Sequence, residues 1–228
     1  MASYRAASSI AVFLLLAAFV LLLLVGISLP IVKSIYILAL QTTVQVQAAT
    51  VKTELRFGVW GICAANIVGN QPVTLTNCVG PRLAYQIPPS LSNLIGLSTQ
   101  VTDILSKALL VLLILHPVAA GLALIALFFS LFLSSTCASV MALLIAILSG
   151  LAGAIVFAAD IALILVSRQK LQTATNSQFT VLFGNGVWMV LAAVCLTWIA
   201  SFVLLARNCL CCGMRKRYDD YDYYPYGR

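Results

Sequence analysis

Residues 108–159 read ALLVLLILHPVAAGLALIALFFSLFLSSTCASVMALLIAILSGLAGAIVFAA, without one Asp, Glu, Lys or Arg. A helix that crosses a bilayer needs about 20 apolar residues. This run is therefore long enough for two spans. Its one polar break, Ser134-Ser135-Thr136-Cys137, is the place to turn. Two further charge-free runs flank it, at residues 6–32 and 171–206. The first holds a single span stopped by Pro30. The second opens on polar residues from Gln172 to Gln178 and becomes apolar after Gly184-Asn185-Gly186. Four membrane helices follow, at residues 9–30, 108–133, 138–166 and 186–206, with residues 134–137 as a tight turn.

Composition agrees with four spans. Hydrophobic residues make up 62% of the chain and charged residues 8%, whereas soluble domains run near a quarter charged. A water-facing surface cannot be built from 13 Lys+Arg and 6 Asp+Glu. The net charge of +7 is no nucleic-acid footprint, because no basic stripe with interleaved aromatics is present. One His and six acids leave little from which to assemble an acid/base or metal constellation. No catalytic residue, metal or cofactor is expected. The first apolar run reads as a retained helix and not a signal peptide, whose apolar region is shorter and is followed promptly by a small-residue cleavage site.

Positive charge sets the expected orientation. Arg207, Arg215, Lys216, Arg217 and Arg228 follow the last helix and Arg5 precedes the first, while the connection after the third helix has only Arg168 and Lys170. The positive-inside rule then puts residues 1–8, the turn 134–137 and the tail 207–228 in the cytosol. Residues 31–107 and the short loop 167–185 face outward.

A loop as long as 31–107 has structure of its own. Val51, Thr53, Leu55, Phe57 and Val59 alternate with Lys52, Glu54, Arg56, Gly58 and Trp60, the period of a strand with one apolar face. Thr43 to Gln47 reads as a second strand, with residues 48–50 as the turn. Leu83 and Tyr85 suggest a third pairing segment. After Pro88-Pro89, apolar residues from Leu91 to Leu105 recur at helical spacing, capped by Ser90 or Ser92 and leading into the second membrane helix. Cys63 and Cys78 are the only cysteines of this loop. In an oxidising compartment the simplest reading is a disulfide, the alternative being two buried thiols. Such a link is worth ~3 kcal/mol in the chain-entropy model.

Gly58-Val59-Trp60-Gly61-Ile62-Cys63 followed by Cys78 is similar to the claudin-type pattern Gly-Leu-Trp-x-x-Cys…Cys. It resembles more closely the fungal Sur/PalI family of plasma-membrane tetraspanners. That family carries Phe-Gly-x-Trp-Gly-x-Cys and a second cysteine trailed by an aromatic. Here the matching residues are Phe57, Gly58, Trp60, Gly61 and Cys63, then Cys78 and Tyr85. A claudin has a further Trp early in the loop, where this chain has Tyr36. PalI-type members have a long cytosolic tail, and only a short one follows Arg207 here. The resemblance therefore implies the short, eisosome-type branch. It implies a claudin-like fold: an all-α four-helix transmembrane bundle with a small extracellular β-sheet and a disulfide-locked first outer loop. Trp60 suits the membrane interface, and Gly58 and Gly61 allow close backbone approach or a bulge.

Within the membrane, Ala142, Ala146, Gly150, Ala154, Ala158 and Ala162 form a four-residue ladder along the third helix. Small residues at that spacing let helices approach closely. Each step turns by ~40°, so the ladder winds round the helix and serves two partners in succession. They lie within the monomer or, with Gly153, on a neighbouring protein. His116 and Asp160 are ionisable residues at membrane depth, which are costly there. Counted from the outer helix ends they lie ~12 Å and ~9 Å deep. Antiparallel neighbours bring them to similar depth, as a register-fixing pair or a proton-sensitive element, or each bonds separately to backbone carbonyls.

Cys209, Cys211 and Cys212 directly follow the fourth helix and are candidates for S-palmitoylation, or stay reduced. Arg215-Lys216-Arg217 suit an anionic inner leaflet. The Tyr/Asp-rich end reads as low-complexity.

The expected role is a non-enzymatic organiser of the fungal plasma membrane. Its partners would be membrane lipids, other membrane proteins or itself, and the cell wall. The resemblance implies eisosome-like domains, wall integrity or ambient-pH response. The alternative is an auxiliary subunit of a transporter, synthase or pH sensor.

Overall fold

The computed structural model describes residues 2–29, 31–46, 49–68, 74–79, 99–132, 136–174 and 179–218. Four helices among them are long and apolar enough to cross a membrane. They are α1 (Ala2–Gly26), α2 (Thr99–Leu131), α3 (Thr136–Ala174) and α4 (Asn185–Tyr218). α1 packs on α2 and α4, and α3 packs on the same two, which closes a four-helix ring. This is a multi-pass membrane protein. Large apolar side chains stand outward on every helix: Phe13 is 69% exposed, Val111 55%, Ile155 60% and Phe202 63%. Water would not tolerate so continuous an apolar surface.

Inside the ring small residues stand at the contacts beside buried Leu and Val side chains. Ala11, Ala18, Ala119, Ala123, Ala142 and Ala193 are each 0% exposed. Lipid offers helices no hydrophobic reason to associate, so close backbone approach supplies the attraction. The core has three levels. Ala11, Leu15, Ala126 and Leu204 lie nearest the chain termini. Ala18, Leu22, Ala119 and Val156 lie in the middle. At the opposite end Leu112, Leu163, Ile164 and Val187 meet a β-sheet.

That sheet contains β1 (Leu38–Val46), β2 (Ala49–Phe57), β3 (Ile62–Val68), β4 (Thr74–Val79) and β5 (Phe179–Phe183). The order is β4-β3-β2-β1-β5, and every neighbour is antiparallel. Leu40 pairs with both Leu55 and Val181, and Leu38 pairs with Phe57. All five belong to the core that rests on the helices. β5 comes from the connection between α3 and α4, so both connections at this end form one sheet.

Several boundaries differ from the sequence expectation. β1 starts at Leu38, not Thr43. Leu38, Ala39 and Leu40 are all buried, and a strand covered on both faces reads as an apolar run without alternation. β2 spans Ala49–Phe57, so Ala49 and Thr50 belong to the strand and not to the turn. β3, β4 and β5 were not expected as strands at all. α1 starts at Ala2, ahead of the expected residue 9, and stops at Gly26, short of residue 30, whereas α3 and α4 overrun their expected ends. α3 continues to Ala174 and α4 to Tyr218, while α2 is one helix from Thr99, as expected of an outer-loop helix that leads into the second span. An apolar run marks where lipid ends, not where the i to i−4 ladder ends, so helices pass the limits that hydropathy draws. Pro30, Leu83 and Tyr85, the segment from Leu91 up to residue 98, and Ser134 and Ser135 lie outside the described residues.

The bundle and sheet meet where two glycines permit it. A Cβ on Gly184 would overlap the Tyr36 carbonyl, whose carbon is 2.6 Å away. Gly184 N–H donates to the Ile37 carbonyl at 2.9 Å, and Gly186 N–H to the Tyr36 carbonyl at 3.0 Å. Gly184→Ala is expected to cost about 3 kcal/mol or more, because the clash is with backbone. Gly186→Ala, with its Cβ 3.0 Å from the same oxygen, is expected to cost less. Denaturant unfolding of the purified protein in detergent gives the ranking, and equal stabilities would refute this close approach.

Candidate functional site

The Phe57–Cys63 stretch docks on the end of α1. The last carbonyls of a helix have no partner within it. Ile27 N–H and Ser28 N–H turn back onto the Leu23 and Val25 carbonyls, and the chain after β2 supplies the donor for Gly26 and two more bonds to the residues just beyond the helix. Trp60 Nε1–H donates to the Gly26 carbonyl at 2.5 Å. Trp60 N–H donates to the Leu29 carbonyl at 3.1 Å. Val59 N–H donates to Ser28 Oγ at 2.9 Å. Gly58 makes this contact possible, since a Cβ there would stand 2.8 Å from the Leu29 nitrogen. Gly58 N–H also donates to the Gly61 carbonyl at 2.9 Å, which closes the turn into β3. The tryptophan is thus a cap on a membrane helix.

Cys63 and Cys78 are bonded to each other and are directly opposed on β3 and β4. Cys63 is wholly buried and Cys78 exposed. The link fixes β4, an edge strand, to the strand that follows the cap. On the sheet face away from the Leu55–Phe57 core, Arg56 donates Nε–H to Glu54 at 2.9 Å, and its guanidinium lies 4.7 Å from the centre of the Tyr36 ring. Glu54 is only 7% exposed, so its ion pair satisfies a carboxylate that would otherwise be costly to bury.

Deeper in the bundle, His116 on α2 and Asp160 on α3 are both 0% exposed. His116 Nε2 lies 3.4 Å from Asp160 Oδ2. The two are in ion-pair reach, but neither Nε2 nor either carboxylate oxygen makes a well-aligned hydrogen bond. His116 Nδ1 is 2.9 Å from the Leu112 carbonyl. This is not the carbonyl that Pro117 releases, which lies four residues before the proline at Leu113. The pair sits between the sheet-side and middle core levels, one turn from Leu112 and Ala119 on α2 and from Val156 and Ile164 on α3.

The small-residue ladder divides along its length. Ala142, Ala146 and Gly150 are buried, Ala154 is half-buried, and Ala158 and Ala162 are exposed. Gly150 and Gly153 face α4: a Cβ would stand 3.3 Å from Trp198 and 3.0 Å from Val194 respectively. Gly153 therefore packs within the monomer, while the outward steps are Ala158 and Ala162.

At the termini end Ser139 Oγ donates to Asn208 Oδ1, and Asn208 Nδ2 donates to the Ser139 carbonyl at 3.4 Å. This ties the start of α3 to the end of α4. Cys209 is exposed there, as is Cys137. Cys211 and Cys212 belong to the helical continuation of α4 and not to an irregular tail. Among the described residues no group of three His, Cys, Asp or Glu gathers as a metal site would require. Tyr85 lies outside the described residues.

Sequence reasoning missed Ser28, and it read Gly184 only as a mark of the fourth helix's start, not as the point of contact with Tyr36. Gly26 carried the available signal, since Gly at a helix end is a stop mark. Trp60→Phe keeps an aromatic ring but removes the donor to Gly26, and Ser28→Ala removes the acceptor for Val59. Each is expected to cost about 1–3 kcal/mol, the penalty for an unsatisfied buried group. Thermal unfolding of the purified variants measures this, and wild-type stability in both would refute the cap.

No curated protein matches the chain. Residues 7–209 match the SUR7/PalI family. A match over most of the chain, including all four spans and the sheet, means that the protein belongs to the SUR7/PalI family.

Proposed function

We propose that the protein is a non-enzymatic lateral organiser of the fungal plasma membrane. The carrying observation is the union of both sheet-end connections in one sheet, through β1 and β5, fixed to the bundle by the Trp60 cap. Such an assembly holds a rigid platform on one side of the membrane while four apolar helix faces remain open to neighbours. Ala158 and Ala162 give α3 a low-relief outer stripe for a flat contact.

In this reading both termini are cytosolic, as the basic residues from Arg207 onward favour. The sheet faces outward toward the cell wall. Arg215, Lys216 and Arg217 bind anionic inner-leaflet lipids at ~1 kcal/mol each. Cys209, Cys211 and Cys212 are acyl acceptors at the same boundary. Family membership supports a role in eisosome-like domains, wall integrity or ambient-pH response.

The test is imaging of a fluorescent fusion at native level, with photobleaching. An organiser is expected in persistent patches whose fluorescence recovers slowly. Substitution of Ala158 and Ala162 by Phe is expected to disperse the patches without loss of folded protein. Uniform, freely diffusing fluorescence together with stoichiometric co-purification of one transporter, synthase or sensor would overturn the proposal in favour of an auxiliary subunit.

A further inference from the structure

We infer that His116 and Asp160 form a proton-binding site, in which a single proton is held between Nε2 and the carboxylate. The inference is independent of the organiser role. It starts from the other ring nitrogen. The Leu112 carbonyl 2.9 Å from Nδ1 can only accept, so Nδ1 carries a hydrogen. In a neutral ring, Nε2 would then present a lone pair to Asp160 Oδ2 at 3.4 Å. Two acceptors would face each other with no hydrogen between them.

One added proton, taken from water, removes the conflict. It resides on Nε2, giving imidazolium and carboxylate, or on Asp160, giving imidazole and carboxylic acid. Both arrangements are neutral overall and are forms of one coupled site. Without that proton the pair carries an uncompensated negative charge at 0% exposure. With a second proton it carries a positive one. Either is costly at membrane depth.

No other described group supplies the compensation. The α1 span from Ser8 to Gly26 has no ionisable side chain, and the α4 span has only Cys195 before Arg207 at its far end. On α2 the nearest charge is Lys107, nine residues and ~13 Å of helical rise away, with Asp103 beyond it. On α3 it is Arg168, eight residues and ~12 Å away. Lys107 and Arg168 are exposed. In the sheet, Glu54 and Arg56 pair with each other on the face turned from the helices.

The experiment uses the full chain in lipid nanodiscs with 15N-labelled histidine. His116 is the sole histidine, so every labelled ring signal belongs to this site. At neutral pH the wild type is expected to have a protonated Nδ1. Its Nε2 resonance is displaced from the free lone-pair position, by a bonded proton or by a carboxylic acid donor. Asp160→Asn is expected to shift Nε2 toward the neutral acceptor position. A lone-pair Nε2 resonance identical in wild type and Asp160→Asn would overturn the inference, as would a bare Nδ1. Stability provides a second readout that does not need that variant's spectrum. His116→Leu strands a buried carboxyl group and is expected to lose more stability than His116→Leu with Asp160→Leu, which removes both partners. Strictly additive losses would count against the shared proton.

Discussion

The end of α1 is the constraint on which the sheet end depends. A helix that stops at a bilayer boundary exposes carbonyls where water is scarce. α1 stops at Gly26, whose carbonyl takes its donor from the Trp60 indole, while Val59 N–H donates to Ser28 Oγ just beyond the helix; both donors come more than thirty residues later in the chain. The return of the chain to this point is therefore tied to satisfying backbone polarity. Gly58 is needed because the contact is backbone against backbone. The disulfide at Cys63 then begins three residues beyond the cap.

The early stop of α1 also shapes the core. Residues of α1 contribute to the middle level and to the level near the termini. At the sheet-side level the helical contribution comes from α2, α3 and α4, through Leu112, Leu163, Ile164 and Val187. Val59 and Trp60 join that level from the strand side. The motif thus fills the place that a longer α1 would have taken. β5 closes the opposite flank, because its pairing with β1 ties the α3–α4 connection to the same sheet.

The helices were legible because lipid imposes a length and forbids charge, and both can be counted in a string of residues. Their ends were not, because hydrogen-bond ladders continue into water: α3 runs on through Arg168 and Lys170. β2 was legible through the alternation of Leu55 and Phe57 with Glu54 and Arg56. β1 was half hidden because Leu38, Ala39 and Leu40 are buried on both faces. β5 was invisible for a different reason. Five residues, Phe179 to Phe183, become a strand through an edge offered by β1, some 140 positions earlier, and nothing local announces that partner. The approach of His116 to Asp160 could be counted from helix ends. The partner of Nδ1 could not, since it depends on the rotamer chosen beside Pro117.

The level of the His116–Asp160 pair follows from the same geometry. Above the middle core, α1 no longer flanks α2, and the ladder on α3 turns outward at Ala158 and Ala162. The buried alanines of the two lower levels give way there to the larger side chains Leu112, Leu163 and Ile164 beneath the sheet. Asp160 lies between those two outward alanines but faces inward, onto His116. An electrostatic contact acts over a longer distance than an alanine contact and is strengthened by the absence of water. The pair therefore joins α2 to α3 just beneath the core in which Leu112, Leu163 and Ile164 meet the sheet.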